Sequence, residues 1–141
     1  MYFRLGGSGS VLDAELYVNA SRYLEVDEGL IPTEVTPVAD TAFDFRKLRR
    51  VGQDYDHCFV LDGELACTMK RGGVAMDLAT DLPALQVYTG SHLSGVWAVN
   101  DGLALEPESF PDSPNRPDFP DTTLRAGEHY HRWAEYRFFQ A

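Results

Sequence analysis

The sequence predicts an all-β protein of sandwich type. Three observations carry that reading. Strict apolar/polar alternation recurs, most clearly from Asp13 to Ala20, where Ala14, Leu16, Val18 and Ala20 share one face and Glu15, Tyr17 and Asn19 the other. Clusters of Gly, Pro and Asp interrupt the chain at fairly regular intervals. Nowhere does a convincing i, i+3, i+4, i+7 apolar stripe mark a helix. The result is about nine to eleven short strands in one domain, with no internal repeat and no linker.

Taken in order, Tyr2-Phe3-Arg4-Leu5 reads as the end of a strand and Gly6 to Ser10 as a flexible loop. The alternating stretch at Asp13 follows, and Ser21 to Val26 continues as a second strand after a bend. Asp27 to Thr33 is a turn leading to an extended segment. Phe43 to Lys47 has a short-strand pattern, and Arg46 to Asp54 is the best place for a single helical turn. Asp62-Gly63 lies between Tyr55–Leu61 and Glu64–Lys70, a two-residue hairpin cue that would set Cys58 opposite Cys67. In that register Asp56 shares a face with Cys58 and Val60, and His57 points the other way. Strands are further expected at Val74–Leu78, Leu85–Gly90, Trp97–Val99, Leu103–Glu106 and Thr123–Glu128. A long final strand runs from Tyr130 to Phe139.

Composition excludes some functions. The chain has 141 residues and a net charge of −10, which repels polyanions and argues against nucleic acid or an anionic membrane as partner. The basic run Arg46 to Arg50 lacks the interleaved aromatics of a nucleic-acid face. No apolar run approaches membrane-spanning length, and no basic segment followed by an apolar core opens the chain, so a cytoplasmic protein is expected. Two cysteines do not make a disulfide framework and are expected as packed thiols. Neither a metal nor another cofactor is expected. Histidines 57, 92, 129 and 131 lack partners at ligand spacing, Asp112 to Asp118 lacks the glycine of a calcium loop, and Gly6-Gly7-Ser8-Gly9 precedes no helix that could hold a phosphate.

The stretch Leu105 to Pro120 holds five prolines, four carboxylates and no glycine, so regular structure should not run through it. Glu106 is then expected as the last residue of a strand, with the chain leaving the sheet at Pro107. A carboxylate at the mouth of a sheet, backed by a rigid loop, is well placed for a site; an acidic surface loop is the plainer alternative. With Asp56, Gln86, Tyr88, Trp97 and Tyr2 it makes a set suited to a polyhydroxylated ligand. Carboxylates and amides bond hydroxyls, and aromatic faces cover the apolar side of a sugar ring. The same residue types also occur on many sheet surfaces.

Ordered blocks across the chain resemble the C-terminal half of the galactose mutarotase (aldose 1-epimerase) family. They are Tyr2–Leu5, Arg22–Thr33, Phe43–Lys47, Tyr55–Leu61, Leu85–Gly90, Leu105-Glu106 with Phe110–Pro117, Leu124–Glu128 and Tyr136–Phe138. The resemblance implies part of a large twisted β-sandwich, the galactose mutarotase-like supersandwich, with residues 1–141 as one incomplete domain lacking its N-terminal half. It implies interconversion of the α and β anomers of a hexose, galactose or glucose. Glu106 would be the general base at the C1 hydroxyl, with Asp56, Gln86 and Tyr2 contacting the sugar. The family's acid histidine would fall two residues before Tyr2, and a second histidine and an arginine belong to the N-terminal half. One acid–base group contributes typically ~10²–10⁴-fold, so the chain alone is expected to be nearly inactive. It would work with a complementary half, persist as a truncated remnant, or act as a sugar-binding or self-associating β-domain whose unpaired edges recruit a partner or a second copy.

Overall fold

The computed structural model describes residues 1–141. Eleven strands form two sheets: β1 (Tyr2–Phe3), β2 (Glu15–Val18), β3 (Arg22–Val26), β4 (Pro32–Pro37), β5 (Arg49–Arg50), β6 (Asp56–Val60), β7 (Leu65–Arg71), β8 (Val74–Thr80), β9 (Ala84–Tyr88), β10 (Leu103–Glu108) and β11 (Ala134–Gln140). One sheet has the order β1-β10-β9-β6-β3-β4 and the other β11-β8-β7-β2-β5. Every pairing is antiparallel. The only helical segments are single 3-10 turns at Val11–Asp13 and Ser113–Asn115, and no helix is long and apolar enough to cross a membrane. The all-β sandwich expected from the sequence is thus the fold.

Alternation decides what each sheet contributes. Ala14, Leu16, Val18 and Ala20 are all buried, as their spacing predicts, and meet Phe59, Leu85, Val87, Leu103 and Leu105 from the other sheet in the main core. The residues between these on the six-stranded sheet point outward. Part of that outer face is buried as well, since Leu24, Cys58, Val60 and Ala84 form a second cluster under Phe119. Phe119 belongs to the proline-rich stretch, which folds back over the sheet. Its ring meets Phe110 edge-on at 5.2 Å and carries the Arg116 guanidinium 4.3 Å above its centroid. Arg116 then donates to the Pro32 carbonyl at 2.7 Å, tying the loop to β4.

Several expected elements are absent for identifiable reasons. Asp62-Gly63 does not close a hairpin. β6 is paired on both sides, by β3 and β9, while β7 pairs with β2 and β8, so the connection crosses between sheets. Gly63 also lacks the positive φ that a type I′ turn requires. Cys58 and Cys67 therefore lie in different sheets, and both are free and buried. No helical turn forms in Arg46 to Asp54. Arg49 and Arg50 pair with β2, and the Val51 amide donates to the Ala14 carbonyl at 2.9 Å. Phe43 to Lys47 is a turn that buries Phe45, not a strand. Trp97–Val99 is likewise a turn, with the Ala98 amide bonded to Asp101 at 3.0 Å, and Thr123–Glu128 has no strand partner. The last strand begins at Ala134 rather than Tyr130.

Candidate functional site

The outer face of the six-stranded sheet collects the polar residues singled out in the sequence. Register places Tyr2 opposite Ala104, Ala104 opposite Tyr88 and Tyr88 opposite Asp56, making one row across four strands. The next row sets Glu106 opposite Gln86 and Gln86 opposite Cys58. A third sets Glu108 opposite Ala84 and Ala84 opposite Val60. The face assigned to Asp56 from the sequence is thus the one observed. His57 turns to the other side, 4.6 Å from the Phe43 ring, where burial lowers its pKa.

Asp56 and Gln86 are joined directly. The Gln86 Nε2 donates to Asp56 Oδ1 at 2.6 Å. An ionised carboxylate can only accept, so Gln86 must turn its NH₂ toward Asp56 and its carbonyl oxygen away. The pair offers carboxylate and amide oxygens to a ligand's hydroxyl donors.

Glu106 stands beside Gln86 on the neighbouring strand, with its side chain 49% exposed. The terminal amine of Met1 donates to its Oε1 at 3.5 Å. Two expectations about Glu106 need correction: it is not the last residue of its strand, and it is not set back at a sheet mouth. β10 continues through Pro107 to Glu108, pairing with β9 along its whole length. Proline is tolerated there because amide direction alternates. The Leu105 amide points toward β1, donating to the Met1 carbonyl at 3.3 Å, so the Pro107 nitrogen faces the same side, beyond the last β1 partner, where no ladder bond is lost.

Tyr2 is the outlying member. It packs edge-on against Tyr88 with ring centroids 6.2 Å apart and lines a separate groove of about 470 Å³ with Leu93 and Trp97. Its pKa is raised, first by burial, then by Tyr88 and by the carboxylates of Glu106 and Asp56. The structure therefore brings Asp56, Gln86 and Glu106 together and leaves Tyr2 at the sheet edge, across Tyr88.

Sequence reasoning missed Glu108. It lines a cavity of about 260 Å³ with Asp56, Cys58, Gln86, Leu30 and Pro111. Burial pushes its carboxyl up to about 7, the nearby Cys58 thiol opposes that shift, and Glu106 and Asp56 add to it. The Cys58 thiol is itself pushed up, by burial and by Glu108, and stays protonated. The signal was the Glu-x-Glu spacing, which puts both carboxyls on one face once the strand is allowed through Pro107. No group of three or more His, Cys, Asp or Glu side chains is arranged to hold a metal ion.

The chain is thus a two-sheet antiparallel sandwich that gathers carboxylates and an amide on one outer face. A family model described as aldose 1-epimerase matches residues 1–137, and the chain belongs to that family. It is 40% identical to galactose mutarotase of Mus musculus, an alignment covering 97% of this chain and 47% of that one. It is 37% identical to aldose 1-epimerase of Escherichia coli (strain K12), covering 98% and 49%. Among solved structures, the GalM/aldose epimerase homologue from C. elegans superposes with a TM-score of 0.94 at 28% identity, covering 99% of this chain and 49% of that one. Galactose 1-epimerase from Lactobacillus acidophilus NCFM gives 0.82 at 30% identity, covering 99% and 47%. The chain spans about half the length of the relatives it matches.

Proposed function

We propose that this chain carries the base and one sugar-binding wall of a hexose anomer-interconverting site, and that a complementary N-terminal segment supplies the acid. The observation that carries the reading is the juxtaposition of Glu106, Gln86 and Asp56 on one sheet face, with Glu106 opposite Gln86 in register and Gln86 bonded to Asp56. Glu106 takes the proton of the C1 hydroxyl. An acid from the complementary segment gives a proton to the ring oxygen as the C1–O5 bond breaks. The resulting aldehyde rotates about C1–C2, and ring closure on its other face returns both protons. Asp56 and Gln86 hold sugar hydroxyls so that C1 stays beside Glu106 through the rotation. Tyr2 contributes an aromatic edge at the margin. Galactose and glucose are the hexoses this reading names.

The sheet edges support a partner. β1 ends one sheet and β11 the other, and Phe3 touches both Tyr136 and Phe138 at centroid distances of 5.2 and 6.2 Å, so the two edges lie side by side. Along them Trp133, Phe138 and Phe139 are exposed. An apolar double edge of this kind suits a complementary half or a second copy, and it also favours the alternative of a non-catalytic, self-associating sugar-binding domain. Two free, buried cysteines fit a cytoplasmic setting.

Galactose mutarotation followed by polarimetry separates the readings. The chain mixed with the N-terminal half of a relative should accelerate the exchange, and Glu106→Gln should lower that rate by ~10²-fold or more. Acceleration unchanged by Glu106→Gln would remove Glu106 from the chemistry. Sugar binding with no acceleration would favour the non-catalytic reading.

A further inference from the structure

We propose that Glu108 is a ligand-binding carboxylic acid that donates a hydrogen bond to a sugar oxygen in the cavity beside Asp56 and Gln86. This rests on the reading of that face as a hexose site and adds a donor that the carboxylate set otherwise lacks.

One oxygen of Glu108 is unpaired: Oε1 is buried and has no hydrogen-bond partner. A buried oxygen left unbonded is costly, and an ionised one more so, so this carboxyl favours its protonated form. The cavity of about 260 Å³ that Glu108 lines has room for a ligand hydroxyl.

The surroundings favour the proton. Asp56 and Cys58 reach Glu108 from β6, and Glu106 from its own strand. Gln86, from β9, is polar but neutral, and its amide is committed to Asp56. From the covering loop, Arg116 is held by Asp118 and the Pro32 carbonyl, and Asp112 is bonded to Asn115. The Met1 amine sits on Glu106. Arg22 shares the row but stands three strands away, beyond Ala84 and Val60. No cation acts on Glu108 directly; burial pushes its carboxyl up to about 7, Glu106 and Asp56 add to that, and the Cys58 thiol opposes it. In the neutral form the group is a donor. Asp56 is an acceptor when ionised, so the two carboxyls would grip hydroxyl oxygens and hydroxyl protons respectively. Ionisation of Glu108 removes the donor and adds a charge next to two others, so affinity should fall as pH rises through neutrality.

The test is D-galactose titration of the full chain at pH 6 and pH 8.5, for the wild type, Glu108→Gln and Glu108→Ala, with the ¹³C carboxyl resonance of Glu108 followed in the ligand-free protein. Loss of one such hydrogen bond predicts a wild-type affinity about tenfold weaker at the higher pH. Glu108→Gln, whose amide donates at both pH values, should hold the pH 6 affinity throughout, and Glu108→Ala should be weak at both. The carboxyl should titrate near neutrality. A Gln variant that keeps the wild-type pH profile, an Ala variant with wild-type affinity, or a carboxyl that titrates with ordinary glutamates would overturn the assignment while leaving the sugar site standing. No galactose binding by the wild type at either pH would instead sink the sugar-site reading and this role with it.

Discussion

At the scale of single residues, Glu108 makes folding itself sensitive to pH. Its folded carboxyl titrates at about 7 against an ordinary value of 4.5. Between those values the folded state binds the proton more tightly than the unfolded chain. The penalty is absent below the unfolded value, grows as pH rises, and is complete above the folded value. At ~1.4 kcal/mol per pKa unit it is bounded by ~3.5 kcal/mol, and partial exposure screens it below that bound. Urea denaturation should show stability falling from pH 5 to pH 8, with the fall reduced in Glu108→Gln; an unchanged slope in that variant would assign the effect elsewhere. The residue was hidden in the sequence because proline was read as the end of the strand. The direction of one amide, toward β1 or toward β9, decides whether Pro107 breaks a ladder, and that direction depends on which strands flank it. Asp56, Gln86 and Glu106 were legible because their faces follow from strand parity and the family blocks.

At the scale of elements, the proline-rich stretch serves as a cover. Phe119 fills the outer cluster over Leu24, Cys58, Val60 and Ala84. Phe119→Ala should cost about 3–5 kcal/mol in chemical denaturation, as large aromatic truncations in cores do. A cost below ~1 kcal/mol would mean the loop is not seated on the sheet. A second constraint joins the first loop to the β7–β8 turn. A Cβ on Gly72, where φ is +57°, would lie 2.6 Å from the Gly6 Cα, and Arg71 donates to the carbonyls of Leu5 and Ser8 at 2.6 Å. Gly72→Ala should therefore lower the melting temperature, whereas Gly73→Ala meets no neighbouring atom and bears only its own φ strain. The periodic strands were legible at this scale. The Asp62-Gly63 hairpin was misread because a local turn cue carries no information on whether the flanking strands already have partners. The 43–54 region was misread because its order comes from Arg49 stacking over Phe45 and from backbone bonds to β2.

At the scale of the whole molecule, both sheets end on the same apolar side, at β1 and β11, while the opposite edges carry the mostly polar β4 and the two arginines of β5. Sheets with one uncovered apolar edge associate. Sedimentation of the purified chain should show self-association at micromolar concentration, reversed by Phe138→Lys together with Phe139→Lys and by addition of the complementary half. A monomer at all concentrations would count against this edge as an interface. The class of fold and the family were legible because alternation and block order survive in a chain half the length of its relatives. Unpaired edges were expected from the half-length resemblance, but not which strands form them, since exposure of Phe138 and Phe139 depends on what pairs with β11.

The central claim is that Asp56, Gln86 and Glu106 form one hexose-binding surface. Amide-resolved NMR of the chain during D-galactose addition tests it most directly, because the Gln86 side-chain NH₂ reports from the middle of that surface. Saturable shifts of this NH₂ and of the Tyr88 backbone amide are expected, with the Trp97 indole in the neighbouring groove little changed. Shifts confined to Trp97 and Leu93, or no saturable shift at Gln86, would contradict the claim.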